Sequence, residues 1–419
     1  MKLFTLITLL LSVSKSYGQS AQLGLSPTTE VLAQSEAVIT NAQGSESLYY
    51  NPSLLAWQGL RLSLVGVEAY ADRNSIELAK KFENKKFGEE SLADFLEELS
   101  TIPEAKLRIA ARLIDLSLPY FAFSSFSNLD LRYTKDNNAY QTQIRHRLGG
   151  ITGFAFSFDK FAIGLSHYRF VQSGVLLDMT ADELNESITA AQEGREDEIT
   201  YQDFSETEFG YAEGLNSGAF YRFWDDNPSG IGISVLNIGG TEFSETSGIH
   251  IPEAKEAEKK LDDFQEKHQL SPSLPTTIPE YVNAGLNLGV GNDRSPFHAR
   301  VAFEAHDLGG NGLRHRESAS FSLGVELPSK LAMLSAIPLI VTDETTFHGG
   351  FLGLKVFGGA RTEEQYSTGS TLSFHFGQDM IISYLRLDIT AFQSINLNPK
   401  DSFPELQGAR ALLSATLIL

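Results

Sequence analysis

The sequence contains no cysteine, which excludes several classes of site and anchor. A chain without cysteine forms no disulfide framework and no cysteine-based metal site. We also expect no lipoprotein anchor, because that anchor requires an acylated cysteine directly after the export signal.

Long hydrophobic runs are also missing, apart from a short one at the start of the sequence. Met1–Val13 combines the basic residue Lys2 with a short apolar core, and small residues follow at Ser16 and Gly18. This pattern predicts a secretory signal over residues 1–18 that is cleaved before Gln19. No later apolar stretch reaches about 18 residues, so the sequence predicts no transmembrane helix. An exported chain of this kind is either soluble or a β-barrel.

Basic residues are few compared with acidic ones. Lysine and arginine number 33 against 53 aspartates and glutamates, which gives a formal charge of −20. Such an acidic protein is a poor electrostatic partner for nucleic acid, so we expect no nucleic-acid partner. In a barrel the acidic residues belong in loops and lumen. There divalent ions can bridge them to lipopolysaccharide, or the charge serves only to keep the loops soluble.

Motifs of known catalytic and metal sites are absent. The nine histidines are scattered along the chain and form no His-Glu-x-x-His pattern. There is no Gly-x-Ser-x-Gly elbow and no phosphate-cradling glycine loop. The sequence therefore predicts no catalytic residue, no metal site and no cofactor, and the chain is not expected to be an enzyme.

The residues that are abundant favour an all-β chain. The sequence has 35 glycines, 28 phenylalanines and 14 tyrosines, and apolar residues alternate with small or polar ones along many segments. The clearest hairpin joins Ile151–Phe158 to Phe161–Val171 through two residues, with its phenylalanines on one face. That face meets lipid in a barrel and the core in a soluble sandwich, and the pattern alone does not decide between them. Counting such segments as far as Ala409–Leu419 predicts about 14 strands.

Charged insertions interrupt the strands near residues 84–115, 178–203 and 239–279. In the first of them, the apolar residues of Glu89–Leu99 recur at helical spacing, which predicts an amphipathic helix. The other two are acidic or highly charged, and both are predicted to be partly helical. Long insertions at one rim and short turns at the other are typical of outer-membrane barrels.

The stretch Gly44–Trp57 combines a turn with an unusual amount of apolar surface. Asn51-Pro52 initiates a turn, because proline biases the residue before it away from the helical region. Tyr49, Tyr50, Leu54 and Trp57 flank that turn. One interpretation is an ordinary β-turn that leads into the first strand. The other is a compact plug that needs a wall to pack against.

A family resemblance favours the second interpretation. The segment Leu48–Ala56 resembles the N-terminal signature of FadL-like and PorV-like outer-membrane proteins, with Ser53 where alanine is usual. The segments Gly232–Gly240 and Tyr281–Leu286 (after Leu274-Pro275) are similar to motifs of the PorV-like branch. The resemblance implies a transmembrane antiparallel β-barrel of about 14 strands. Residues 19–59 would form its internal hatch, and the barrel would occupy residues 60–419.

The resemblance also implies a location and a choice of functions. The chain would be integral to the outer membrane, in contact with its lipid and lipopolysaccharide. FadL-like relatives admit hydrophobic molecules such as fatty acids, which makes six residues the candidate hatch and ligand-channel residues: Tyr49, Tyr50, Asn51, Pro52, Leu54 and Trp57. PorV-like relatives instead bind secreted or surface proteins as shuttles or scaffolds. A third possibility is a structural barrel that self-assembles into a ring.

Overall fold

A computed structural model describes most of the chain from Val38 onward. The predicted signal, residues 1–18, and the first part of the predicted hatch, residues 19–37, lie outside the described residues. The described ranges are 38–72, 74–77, 100–136, 139–193, 206–225, 227–245, 259, 261–263, 266, 271–275, 277–291, 297–308, 316–326, 337–341, 346–361, 365–378, 384–396 and 405–418.

Strands dominate the described residues, as the glycine-rich and aromatic-rich alternation predicts. The helical elements include two 3₁₀ segments, Gly44–Glu46 and Pro52–Trp57, with α1 (Ser47–Tyr50) between them, and a longer helix, α2 (Ala181–Gln192). Residues 74–77 also form a single helical turn. None of the helices in this part of the chain is long and apolar enough to cross a membrane. The strands are β1 Arg61–Asp72, β2 Glu104–Leu118, β3 Phe121–Asp136, β4 Ala139–Phe158, β5 Phe161–Thr180, β6 Glu206–Trp224, β7 Asn227–Leu236, β8 Phe243–Ser244, β9 Ser271–Ser273, β10 Tyr281–Val290, β11 Phe297–His306, β12 Arg316–Glu326, β13 Ile337–Val341, β14 Thr346–Arg361, β15 Gln365–Gln378, β16 Tyr384–Asn396 and β17 Glu405–Ile418.

Fourteen of these strands pair into a ring. Each strand from β1 to β7 pairs antiparallel with the next, and the series continues from β7 through β10, β11, β12, β14, β15 and β16 to β17. Strand β17 then pairs with β1 from Leu62 to Asp72, which closes the ring. The remaining strands, β8, β9 and β13, are short and pair beside the ring. A closed ring satisfies the strand hydrogen bonds without leaving an edge. The predicted antiparallel barrel of about fourteen strands is confirmed.

The hairpin of β4 and β5 shows which face of the wall points outward. Phe154, Phe156 and Phe158 are 46%, 56% and 64% exposed, whereas Ala155 between them is 1% exposed. At this end of the hairpin, small residues therefore face the lumen and large apolar residues face the surroundings. This is the reverse of a soluble sandwich and the distribution of a barrel that meets lipid.

The largest apolar cluster of the described residues lies inside the barrel. The N-terminal segment contributes Leu48, Tyr49, Tyr50, Leu54 and Leu55 to it, and strands β3 to β6 contribute a facing set of side chains: Phe126, Ile151, Tyr168, Phe170 and Phe220. A barrel has no core of its own between its walls, so the chain supplies one by folding its N-terminal segment inward.

The first predicted insertion, near 84–115, ends earlier than predicted. Strand β2 begins at Glu104, and the helix predicted at 89–99 lies outside the described residues. The sequence hides this strand because charged residues occupy its inner face. There the Arg108 Nη2 donates to Asp130 on β3 at 3.0 Å, so the charges are paired across strands.

The second insertion, predicted at 178–203, begins later than predicted. Asp178 is still part of β5, and the acidic helix α2 starts at Ala181. Thr180 and Glu183 define that start with a capping box. Thr180 N donates to the Glu183 carboxylate at 2.6 Å, and Glu183 N donates to Thr180 Oγ1 at 3.2 Å. Residues 194–205 lie outside the described part of the chain.

The third insertion, predicted at 239–279, contains two short strands that the sequence did not predict. Strand β8 pairs with β6 through Tyr211 and Ala212, and β9 pairs with β6 nearer its start. These pairings continue the sheet where β6 extends beyond β7. Of the helix predicted at 253–268, only residues 259, 261–263 and 266 are described, and they are helical.

The exposed apolar face predicts a depth-dependent penalty for charge. Val301 on β11 and Val325 at the end of β12 both face outward, 42% and 52% exposed. We expect Val301→Arg to cost about 2–4 kcal/mol of stability in lipid vesicles and Val325→Arg only about 0–1 kcal/mol, because the second lies near the membrane surface. Equilibrium unfolding in vesicles measures both. Equal costs would contradict contact between this face and lipid.

Candidate functional site: the plug and its wall

The N-terminal segment from Val38 to Gln58, called the plug below, is held in a tight series of turns. Gly44 has φ +58°, a left-handed conformation that favours glycine. Inside the plug, Gln58 Oε1 accepts from Gly44 N at 2.9 Å, and Ser47 Oγ donates to the Ala42 carbonyl at 3.1 Å. These bonds close the plug into a compact unit rather than a linker.

Asn51 forms hydrogen bonds both within the plug and to the barrel wall. Its side chain is fully buried. Oδ1 accepts from Ser53 N at 3.2 Å and Ser53 Oγ at 2.5 Å, which caps the 3₁₀ helix that starts at Pro52. Nδ2 donates to the Ile39 carbonyl at 3.0 Å and to the Ala219 carbonyl on β6 at 3.4 Å. The Asn-Pro turn is therefore anchored to the barrel.

Three wall glycines allow the plug backbone to approach the strands. A Cβ added at Gly164 on β5 would lie 2.3 Å from the Pro52 carbonyl carbon, and one at Gly218 on β6 would lie 2.0 Å from Asn51 Oδ1. A Cβ at Gly153 on β4 would lie 2.7 Å from Leu48 Cδ2. Gly164 and Gly218 are paired directly across β5 and β6. Together these glycines leave the space that the plug occupies, and a larger side chain at any of them would overlap with plug atoms.

Hydrogen bonds from the wall also reach the backbone of α1. Ser166 Oγ on β5 donates to the Leu48 carbonyl at 2.8 Å, and Asn216 Nδ2 on β6 donates to the same oxygen at 3.3 Å. Asn216 Nδ2 lies 3.1 Å from Ser166 Oγ as well. Ser166 and Asn216 are buried, so these bonds form away from water, where a missing partner is costly.

Tyr49 and Tyr50 form the end of α1, and both are buried. The Tyr49 hydroxyl shares a hydrogen bond of 2.7 Å with Ser124 Oγ on β3, and its ring meets Phe126 edge-on at 6.2 Å. The guanidinium of Arg112 on β2 lies over the same ring at 5.7 Å. Burial raises the pKa of the Tyr49 phenol above its usual range, so this hydroxyl stays protonated.

Trp57 and Leu54 complete the apolar part of the plug. Leu54 is buried in the cluster, while Trp57 is half-buried at the end of the plug. The Arg222 guanidinium on β6 lies 4.3 Å from the Trp57 ring centroid, and Phe220 meets that ring edge-on at 5.7 Å. A cation over the face of a tryptophan is attracted by its negative π face. Trp57 is thus fixed to β6 rather than directed into solvent.

Strand β11, which only β7 and β10 separate from β6, holds the start of the plug through charged and polar groups. The buried Glu304 carboxylate on β11 accepts from Thr40 N at 3.1 Å and Thr40 Oγ1 at 3.3 Å. Arg300 on the same strand donates to the Asn41 side chain. The plug is therefore fixed at both ends, by β4 to β6 on one side and by β11 on the other.

The six residues singled out in the sequence thus come together in one plug inside the barrel, and whether they line a ligand path stays a prediction. The sequence did not point to the wall residues that receive them: Gly164, Ser166, Gly218, Asn216 and Glu304. Their signal is weak, because small and polar residues alternate with apolar ones on most strands. Within the described ranges, no group of three or more histidine, aspartate or glutamate side chains could hold a metal ion.

Comparison with known proteins gives matches among solved structures. No protein-family model and no curated protein matches the sequence. The similar structures include the CymD monoaromatic hydrocarbon channel (9% identity, TM-score 0.42, 94% of this chain and 97% of that chain covered). They also include a Pseudomonas aeruginosa FadL homologue (11%, 0.40, 94% and 97%) and the Ralstonia pickettii toluene transporter TbuX (9%, 0.36, 92% and 98%). At these identities and at TM-scores below 0.5, the matches carry no argument about the family of this chain or about what it binds.

Proposed function

We propose that the chain is an outer-membrane barrel that binds a hydrophobic small molecule and passes it along the plug. The outward apolar face supports the membrane location. Inside, the plug and β3 to β6 present aromatic and aliphatic side chains, among them Tyr49, Phe126 and Phe170. A water-filled porin has a polar lumen instead, so this interior favours an apolar solute.

The observation that carries this proposal is an irregular part of the wall beside the plug. The β2–β3 pairing jumps from Arg112–Phe126 to Asp115–Ser124, so β2 holds one residue more than β3 in that interval. The β1–β2 pairing is interrupted at the same level, between Asp115 and Arg112. A bulge re-aims side chains and weakens the ladder locally.

Plug residues contact the wall at this bulge. The Arg112 Nη1 lies 3.4 Å from the Asp115 carboxylate and 3.8 Å from the Glu46 carboxylate of the plug. Arg112 also covers the Tyr49 ring. A shift of the plug would therefore break its contacts with Arg112 at the edge of the bulge. We propose that a bound apolar solute leaves sideways here, into the lipid, when the plug moves.

A disulfide that locks the plug tests this proposal. A Cβ added at Gly232 on β7 would lie 3.2 Å from Thr40 Cγ2, close to the separation of about 3 Å between a disulfide sulfur and the opposite Cβ. The chain has no cysteine of its own, so Thr40→Cys with Gly232→Cys supplies the only thiols. We expect the locked protein to lose all protein-dependent uptake of the apolar dye N-phenylnaphthylamine by cells with an intact outer membrane.

Reduction and the single variants complete this experiment. A thiol reductant should restore uptake, and each single cysteine variant should retain it, since neither forms a covalent link between plug and wall. Uptake that is equal in the oxidised and reduced double variant would show that the plug does not gate the path. No uptake by the unmodified protein would overturn transport itself.

The second candidate function is a closed barrel that binds a protein partner as a scaffold or shuttle. The observation that favours it is the density of hydrogen bonds on the plug, from Asn51, Ser166, Asn216 and Glu304. A plug held this firmly suits a barrel that stays shut. In that case a surface protein should co-purify with the barrel, and the disulfide that locks the plug should leave this binding unchanged.

A further inference from the structure

A second segment covers the wall beside the plug. Part of the 239–279 insertion, called the inner loop below (residues 239–245 and 277–280), packs on the inner face of β5 and β6. Phe243 meets Phe170 edge-on at 5.8 Å, and both Phe243 and Ile278 pack against the apolar cluster that contains the plug. Plug and inner loop therefore share one wall.

The inner loop is closed by its own hydrogen bonds. Thr241 and Ile278 exchange backbone hydrogen bonds of 2.7 and 2.9 Å. Asn237, directly before the loop, has φ +56°, a left-handed conformation that asparagine adopts more readily than most residues. Its Nδ2 donates to the Pro279 carbonyl at 3.0 Å, which ties the two ends of the loop together.

Asn216 on β6 lies between the plug and this loop and bonds to both. Its Nδ2 donates to the Leu48 carbonyl of the plug at 3.3 Å, and its Oδ1 accepts from Asn237 N at 3.0 Å. The Tyr168 hydroxyl donates to Asn237 Oδ1 at 3.0 Å and also bonds to the Thr241 hydroxyl. An unbroken series of hydrogen bonds thus runs from the plug backbone to the loop.

We propose that Asn216 couples the plug to the inner loop, so that each segment leaves the wall more readily once the other has left. Asn216 and Asn237 are both fully buried. If the plug departs, Asn216 Nδ2 loses the Leu48 carbonyl and retains Ser166 Oγ, so its amide is less firmly fixed for Asn237. Buried polar groups in such a series depend on one another, because an unmade bond in a dry site is costly. This coupling does not depend on what the barrel carries.

Hydrogen exchange of the full chain in detergent micelles tests the coupling without any ligand. The Thr241 and Ile278 amides report on the loop, and the Ala42 and Asn51 amides report on the plug. Tyr168→Phe removes the hydroxyl that bonds to Asn237 and Thr241, so it loosens the loop directly. We expect it to speed exchange at the plug amides as well, by at least about five-fold, the lower end of typical allosteric coupling.

The same measurement is then repeated with Asn216→Ala. In that background Tyr168→Phe should still speed exchange in the loop but leave the plug amides unchanged from Asn216→Ala alone. Tyr49→Phe is the matched control, because the Tyr49 hydroxyl also bonds the plug to the wall, at Ser124 on β3, but takes no part in the series through Asn216. It should raise plug exchange and preserve the response to Tyr168→Phe.

Three outcomes would overturn the proposal. Tyr168→Phe that loosens the loop without affecting the plug would show that the segments are independent. An equal response of the plug with and without Asn216 would assign the coupling to other residues. No change in loop exchange would show that these hydrogen bonds do not hold the loop. If Asn216→Ala does not fold, Asn216→Ser supplies the same comparison, since serine is too short to reach both partners.

Discussion

Gly164→Val is expected to displace the plug from the wall while the barrel stays folded. A Cβ at this position would lie 2.3 Å from the Pro52 carbonyl carbon, 2.4 Å from Ser53 N and 2.5 Å from the Pro52 oxygen. All three are backbone atoms, so no side-chain rotation relieves the overlap. Overpacking of a tight interior costs about 1–3 kcal/mol and more where nothing yields. Because β5 is held by β4 and β6 along its length, the plug is the part that must move.

Hydrogen exchange at the plug amides and ion conductance in planar bilayers measure this displacement. Exchange at Asn51 should rise toward the unprotected rate, and conductance should exceed that of the unmodified protein because the plug no longer occupies its place in the lumen. Gly59→Val is the matched control, since nothing lies within 4 Å of a Cβ built there. A Gly164→Val protein with a protected plug and no conductance would show that the wall, not the plug, yields.

The sequence predicted the plug more reliably than the wall that receives it. Asn51-Pro52 is a local signal, because proline restricts its neighbour wherever it occurs, and the aromatic residues around it indicate burial. Gly164 and Gly218 carry no comparable signal. Their importance comes from the register of β5 and β6, which brings them opposite each other beneath Pro52 and Asn51. Register depends on pairings between distant segments, which a single sequence does not reveal.

The strands themselves were predicted where their two faces differ in polarity. β10 begins and ends at Tyr281 and Val290 as predicted, because its apolar residues alternate with Asn283, Gly285 and Asn287. The sequence places most of β2 in an insertion, since Lys106 and Arg108 interrupt its apolar pattern. β13 was missed, because Ile337–Val341 is short, contains a proline and does not alternate. Charge and brevity therefore hide strands that pairing with a neighbour stabilises.

Asn51→Ala is expected to loosen the plug without unfolding the barrel. The substitution leaves the Ile39 and Ala219 carbonyls without the Asn51 donor and removes the acceptor for Ser53 N. Each buried polar group that loses its partner costs about 1–3 kcal/mol. The three losses sum to about 3–9 kcal/mol. Rearrangement of the neighbouring groups offsets part of this cost, so we expect plug stability to fall by about 2–5 kcal/mol. Hydrogen exchange at the Ala42 and Asn51 amides converts directly into this free energy.

Gln58→Ala separates the contribution of the wall from that of the plug's own bonds. The Gln58 side chain bonds to Gly44 N and the Ala42 carbonyl, both within the plug, and is only half-buried. Its loss should cost about 1 kcal/mol or less, because water can replace a partly exposed partner. If the two variants loosened the plug equally, the bond from Asn51 to β6 would contribute nothing to its seating. A much larger effect of Asn51→Ala would show that the hydrogen bonds of the Asn-Pro turn, and not the apolar cluster alone, hold the plug against the wall.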